Sequence, residues 1–380
     1  MKSARLLHLS HTDIRKDSRI LKQMHCLKNA SNTFRLFGIG VMMEARGKNS
    51  PRASELQIQS INLYSRKLNF LPRLIRHSME VLELTIKMVT KAIIIQPNVI
   101  HCHDVSVLPL GVFVKLFTKS KLVYDAHELE SNKNGITPIL SKITFCVEQM
   151  LIPSVDLFIT VSTSIEIWYK KNLGIKCSGV ILNSPLICTN LDKVKPRENY
   201  LRNTFRIPEE KRIYIYVGIL GKGRGIEQTI QVISEIDNAH LVLLGFGELT
   251  EYVIEQDNAF DNIHYHTAVP HEQVVQFVAE ADFGICLIEN ISLSDYYCLP
   301  NKLFEYAFAG IPVVASDFPD ISVIVQRHRL GVCCSLDSES IRKAVLDVQL
   351  SDPIDIGSLR ELSWEHQENT LRLLYNNLVR

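Results

Sequence analysis

Residues 299–317 read Leu-Pro-Asn-Lys-Leu-Phe-Glu-Tyr-Ala-Phe-Ala-Gly-Ile-Pro-Val-Val-Ala-Ser-Asp. An ammonium, Lys302, and a carboxylate, Glu305, stand just behind a proline. Pro300 suits a helix start and Gly310 its C-terminal end. A helix start offers unpaired N–H groups and positive potential, which suits phosphate. A carboxylate one turn in can accept hydrogen bonds from ribose hydroxyls. Together these residues suit a nucleotide-diphosphate cradle. Ile311 to Ala315 is an apolar, β-branched run of the kind parallel sheets bury on both faces.

A second constellation is Val217-Gly218-Ile219-Leu220-Gly221-Lys222-Gly223-Arg224-Gly225-Ile226. Its glycines allow a backbone to approach an anion, and Lys222 and Arg224 would neutralise a diphosphate. The plain alternative is a tight strand–helix turn carrying solvated charges. Leu244-Gly245-Phe246-Gly247-Glu248 reads as a strand-terminating turn. In the first half, Val123-Tyr124-Asp125-Ala126-His127-Glu128 ends a strand, and His101-Cys102-His103-Asp104 ends the one before it. His101 and His103 share a strand face. A metal needs a third convergent ligand, and spacing supplies none, here or at His264-Tyr265-His266. Both pairs read as polar strand ends, and no metal is expected.

These residues must be positioned by strands. Apolar, β-rich runs fall at 5–10, 34–41, 56–63, 98–103, 121–126, 157–162 and 179–183, then at 213–218, 239–245, 263–268, 283–288, 311–316 and 331–335. Helical stretches alternate with them, the pattern of parallel α/β sheets whose ligands bind at the carboxyl ends of strands. The polar connection 184–212, with Pro185, Pro196 and Pro208, divides the chain. The expected domains are 1–190, joined by a C-terminal helix 363–380, and 205–362. That helix starts at Ser363, with an apolar stripe at 364, 371, 374, 375 and 378.

The 380 residues carry 42 Lys and Arg against 41 Asp and Glu, so no bulk affinity for nucleic acid is expected. The nine cysteines include no C-x-x-C pair, which argues for a reducing, cytoplasmic setting. The N-terminal apolar run is too short for a signal peptide. Glu80, Glu83, Lys87 and Lys91 interrupt the apolar stretch 79–97 and make it a poor membrane span. Residues 64–78 interleave Arg66, Lys67, Arg73 and Arg76 with Leu68, Phe70, Leu71, Leu74 and Ile75. Such a stretch suits an anionic membrane interface, or else a solvated helix face over a core stripe. Pro72 can divide it.

The segment from Pro300 to Val314 resembles the donor motif of retaining glycosyltransferases of family 4, which often read P-N-K-L-F-E-Y-x-x-x-G-x-P-V-V. The glycine loop is similar to that family's G-R-L-x-x-x-K-G motif, with Gly218 and Gly225 in place and Arg224 in the lysine position. The resemblance covers nearly the whole chain and is strongest over 213–335. It implies an α/β protein of GT-B fold, with two Rossmann-like domains whose parallel sheets face a central cleft. It implies transfer of a sugar from a nucleotide-diphosphate donor to a hydroxyl of a glycan or lipid-linked acceptor, with retention and without metal or other cofactor. Cell-surface polysaccharide or glycolipid synthesis, as of lipopolysaccharide, is the implied setting.

Carried over residue by residue, His127, Arg224 and Lys302 are the implied catalytic groups. Gly218, Lys222, Gly225, Gly245, Tyr297, Cys298, Leu299, Asn301 and Glu305 are implied around the donor. His103, Asp104 and Glu128, with Asp13, Asp17 and Arg19 from the first helix start, are implied on the acceptor side. Two departures stand out. Ile219 occupies a position where the family often has Arg, and Tyr297 one where it commonly has a first glutamate, for which Asp295 or Glu289 could substitute. A non-hydrolysing sugar-nucleotide epimerase and a non-catalytic partner subunit of the same fold remain as alternatives.

Overall fold

The computed structural model describes residues 3–29, 34–42, 51–185, 199–270, 273–348, 354 and 357–379. The chain divides into two compact units, Met1–Ile181 with Glu368–Arg380, and Leu182–Gln367.

The first unit contains β1 (Ala4–Ser10), α1 (Ser18–Asn29), β2 (Phe34–Val41), β3 (Gln57–Ile61), α2 (Arg73–Ile95), β4 (Val99–His103), α3 (Leu108–Thr118), β5 (Lys121–Ala126), α4 (Pro138–Leu151), β6 (Leu157–Thr160), α5 (Thr163–Leu173) and β7 (Ser178–Val180). The strands form one parallel sheet in the order β3-β2-β1-β4-β5-β6-β7. Leu6, Leu7 and Leu9 of β1 are fully buried, as expected of a central strand covered on both faces. Asp17 caps α1 by accepting from the Ile20 N–H at 3.0 Å.

The second unit contains α6 (Tyr200–Phe205), β8 (Arg212–Ile219), α7 (Ile226–Ile233), β9 (Ala239–Phe246), α8 (Thr250–Ala259), β10 (Ile263–Thr267), α9 (Val274–Val278), β11 (Phe283–Cys286), α10 (Leu293–Tyr296), α11 (Asn301–Ala309), β12 (Val313–Ser316), α12 (Pro319–Arg327), β13 (Gly331–Cys334) and α13 (Ser338–Asp347), followed by α14 (Trp364–Val379). Its parallel sheet has the order β10-β9-β8-β11-β12-β13. Ile213, Ile215 and Val217 pack into one core cluster and Tyr214 and Tyr216 into another, so β8 feeds both layers of the sandwich.

Each expected strand finds its counterpart, the ends shifting by a few residues. The expected connection 184–212 differs: α6 lies inside it, and 186–198, with Pro196, fall outside the described residues. The boundary between units falls within α14, at Gln367, rather than at its start. In both sheets the strand order reverses direction, between β1 and β4 and between β8 and β11. Such switch points open a crevice at the strands' carboxyl ends.

Candidate functional site

In the second unit the glycine loop leaves β8 at the switch point. Gly218 has φ +128 with open space where a Cβ would stand. A Cβ on Gly245 would lie 1.8 Å from the Gly218 carbonyl oxygen, so the two strand ends approach as only glycine allows. Gly225 caps α7 at φ +63, and a Cβ there would strike the Leu287 Cβ at 2.6 Å. The Glu289 N–H donates to the Gly223 carbonyl at 3.0 Å and ties the loop to the segment after β11.

The helix of the first constellation is α11, bounded by Pro300 and by Gly310 at φ +75, with no side chain capping its start. Tyr306 anchors it. Its hydroxyl donates to the Ile285 carbonyl at 2.9 Å and accepts from the Val217 N–H at 3.2 Å, bridging β11 and β8. One turn earlier, Lys302 is 8% exposed. Its ammonium lies 3.6 Å from the centre of the Tyr216 ring, and it has no hydrogen-bond acceptor among the described residues. A buried ammonium held only by an aromatic face retains unmet hydrogen-bonding capacity. Glu305 is buried in the same helix, while Asn301 is exposed at its start.

The Arg224 guanidinium lies 3.9 Å from Asp295, which is held in turn by the Ser292 hydroxyl at 2.8 Å. Tyr297 and Cys298 are half-buried and Leu299 is buried between α10 and α11. Burial pushes the Cys298 thiol well up and that of Cys286 up to about 12, so both are neutral packing groups. Lys222 is 77% exposed, 3.8 Å from Glu248.

In the first unit, a polar network fills the other switch point. Asp125 is fully buried. Its Oδ1 accepts from Arg19 Nη2 at 2.8 Å, and its Oδ2 from Gln23 at 2.7 Å and Arg19 Nε at 3.3 Å. Burial opposes its charge, but Arg19, His127, His101 and His103 hold it well below the usual carboxylate range. Arg19 also donates to the Ile181 carbonyl, and with 4% exposure its fork is committed to this interior.

The buried histidines are ordered by one another, by Tyr375 and by Asp125. The Tyr375 hydroxyl lies 2.5 Å from His101 Nδ1, leaving His101 Nε2 to face Asp125 at 3.6 Å. His8 Nδ1 meets His103 Nε2 at 3.0 Å, and His103 Nδ1 faces both His127 Nε2 at 3.3 Å and Asp125 at 3.5 Å. Burial keeps all three imidazoles neutral, and that of His101 is lowered to about 3. His127 differs. Its Nε2 lies 3.4 Å from Asp125 and its Nδ1 3.5 Å from Asp104, with a fifth of the side chain exposed. A neutral ring offers one N–H, whereas an imidazolium offers one to each carboxylate. Burial works against that charge, yet Asp125 and Asp104 outweigh it and raise the His127 pKa to about 9.

Asp13 binds Arg15 at 2.8 Å, which holds its carboxyl below the usual range, and Glu128 is exposed. The His264–His266 pair joins no convergent group of three ligands among the described residues: His264 bonds His240 and His266 bonds Tyr200.

Spacing supplies no third ligand beside His101 and His103, but the strand order does. His8, His101 and His103 converge within 4.8 Å, as do His103, Asp125 and His127. Two histidines and a carboxylate are a zinc-type donor set. Here, however, the carboxylate oxygen already receives Gln23 and Arg19, which occupy the lone pairs a metal would need. The group fits a proton-ordered network better than a metal. Sequence reasoning missed His8 and gave Asp125 no role. The signal was available only as register, since His8 pairs with His101, and His103 with Asp125, across adjacent strands.

Residues 211–349 match the family model described as Glycosyl transferases group 1. The chain is 23% identical over 312 residues to the chitobiosyldiphosphodolichol beta-mannosyltransferase of Kluyveromyces lactis, covering 71% of this chain and 69% of that protein. It is 20% identical over 251 residues to a putative teichuronic acid biosynthesis glycosyltransferase, TuaC, of Bacillus subtilis, covering 66% of this chain and 60% of that protein. Among solved structures, sucrose-phosphate synthase from Thermosynechococcus elongatus superposes with a TM-score of 0.75 at 17% identity, over 99% of both chains. Anabaena HepE in complex with UDP-glucose gives 0.72 at 12% identity, over 98% of this chain and all of the other. The fold is the GT-B arrangement of two parallel-sheet, Rossmann-like domains. With the match to the group 1 glycosyl transferase model in the second unit, these findings support a GT-B glycosyltransferase.

Proposed function

We propose that the protein moves a sugar from a nucleotide-diphosphate donor to a hydroxyl of a glycan or lipid-linked acceptor, with retention of configuration and without a metal, as a cytoplasmic enzyme of cell-surface polysaccharide or glycolipid synthesis. The observation that carries this reading is the Lys302 ammonium, buried at the uncapped start of α11 without a hydrogen-bond acceptor among the described residues. A diphosphate supplies the acceptors that it lacks. Arg224 stands ready to share that charge, with Asp295 restraining its guanidinium. The mannosyl- and teichuronic-acid transferases among the relatives support the acceptor class.

In the proposed step, the bond from the anomeric carbon to the diphosphate breaks, and the departing oxygen takes the acceptor's proton. The acceptor oxygen bonds the anomeric carbon on the same face. Lys302, Arg224 and the α11 dipole stabilise the leaving charge from fixed positions. No enzyme nucleophile is required, and the charge is met by side chains, so activity is expected to persist in EDTA. Loss of turnover in EDTA, restored by magnesium or manganese, would contradict the metal-independent step.

The binding half is tested by calorimetry with nucleoside diphosphates. Arg224→Ala is expected to weaken binding by about 1.5–3 kcal/mol, the range for a charge-assisted hydrogen bond. Unchanged affinity removes Arg224 from the site. A non-catalytic subunit is the second reading, favoured by Ile219, which stands 64% exposed where the family motif often has arginine. Donor binding without turnover, across a panel of acceptors, would select it.

A further inference from the structure

α2 is 23 residues long, roughly 34 Å at 1.5 Å per residue, yet its buried residues are Met88, Val89 and Ala92, near its end. Its earlier turns carry a stripe at i, i+4, i+7 and i+11, namely Ile75, Met79, Leu82 and Ile86, all at least 40% exposed. Beside this stripe, Tyr64 and Leu68 help to enclose an apolar groove of about 430 Å³ that also includes Met79, Leu82 and Ile86.

The stripe is not isolated. The crossovers β3→β4, β4→β5 and β5→β6 step the same way along the sheet, so right-handed connections put α2, α3 and α4 on one face. α2 packs on α3, and α3 on α4. α3 exposes Phe113, Leu116 and Phe117. α4 exposes a second stripe of the same spacing, Ile139, Ile143, Cys146 and Met150. These three helices and the turn before them hold 16 of the 27 large apolar side chains that stand exposed among the described residues. A patch of this extent marks a contact surface.

Its charge selects the occupant. Residues 64–95, 108–119 and 138–151 contain nine Lys and Arg and three Glu, in a chain of net charge +1. All three glutamates are engaged. Glu80 lies 3.8 Å from both Arg66 and Arg76, Glu83 binds Lys87 and Ser65, and Glu148 is buried on Tyr124. Lys67, Arg73, Lys119 and Lys142 are exposed and pair with no carboxylate among the described residues. An apolar face with unopposed cations complements an anionic lipid surface. No helix among the described residues is long and apolar enough to cross a membrane, so contact made through this face is peripheral.

We infer that the outer face of α2, α3 and α4 docks the first unit on an anionic bilayer, with the 64–78 segment as one edge of that surface. This does not rest on the sugar-transfer reading. The test is co-sedimentation of the full chain with phosphatidylcholine vesicles, with and without phosphatidylglycerol. Two triple variants accompany the wild type: Leu82→Glu, Phe117→Glu, Ile143→Glu, one per helix, and Arg73→Glu, Lys119→Glu, Lys142→Glu. The wild type is expected to pellet with the anionic vesicles at low salt and to be released at about 0.5 M salt. Both variants are expected to lose at least about ten-fold in bound fraction with melting temperatures unchanged. Wild type that stays in the supernatant at low salt, or variants that bind like it, overturn the inference. So does a wild-type dimer, seen by light scattering, that the first variant dissolves while neither form meets vesicles; the occupant would then be a second copy of the chain.

Discussion

Lys302→Met is expected to lower kcat/KM for the donor by about 10²–10³, the loss typical of removing one preorganised group from a developing anion. The same change is expected to leave the ligand-free protein as stable as before, or more so. In the wild type, an ammonium is buried on Tyr216 without an oxygen partner among the described residues, a cost that a bound diphosphate would offset. Methionine has a similar reach and buries without that cost. A purely structural lysine behaves the other way: its loss lowers the melting temperature and spares donor affinity. Measuring both quantities on one variant therefore separates the roles. A variant that melts earlier and binds nucleoside diphosphate like the wild type would sink the assignment.

The strands were legible because parallel sheets covered on both faces demand runs such as Leu6–Leu9 and Val313–Ala315, which no surface element would carry. α11 was legible to the residue, since Pro300 and Gly310 are restrictive at opposite ends of a helix. What the sequence hid depends on strand order. His8 and Asp125 are 117 positions apart, and both reach the His101–His103 face because β1 and β5 flank β4. Arg19 looked like an acceptor-side residue at a helix start, yet its guanidinium turns inward to Asp125. Tyr216 looked like a core strand residue, and only the packing of α11 shows its face carrying Lys302. The open stripe on α2 was hidden for another reason. Periodicity reports an apolar face but not whether anything covers it.

His127 gives the second large effect, and it is expressed through pH. With its pKa raised to about 9 from the ordinary 6.5, the folded protein holds a proton on this ring that the unfolded chain releases. Its contribution to stability is therefore fully present below about pH 6.5 and disappears as pH rises through about 9. It amounts to at most roughly 3.5 kcal/mol at 1.36 kcal/mol per pH unit. Comparing wild type with His127→Gln isolates it from Glu130 and Glu148, whose raised values of about 8 and about 7 also favour proton uptake in the folded state. An imidazolium is no general base at neutral pH, and both of its N–H groups face carboxylates, so in the proposed reaction the ring would act as a fixed positive charge. His127→Ala is then expected to lower kcat by about 10²-fold while nucleoside-diphosphate affinity stays put. Wild-type kcat is expected to fall on an alkaline limb near pH 9. Asp104→Asn keeps the buried Arg19–Asp125 pair and replaces the carboxylate with an amide of the same shape. It is expected to move both that limb and the ring's NMR titration toward lower pH. Asp125→Asn moves them too, but by leaving Arg19 without its counter-charge it is expected to cost about 3–5 kcal/mol of stability. A wild-type His127 titrating near 6.5 would show that the two carboxylates do not hold the second proton, and the ring would then be free to serve as a base.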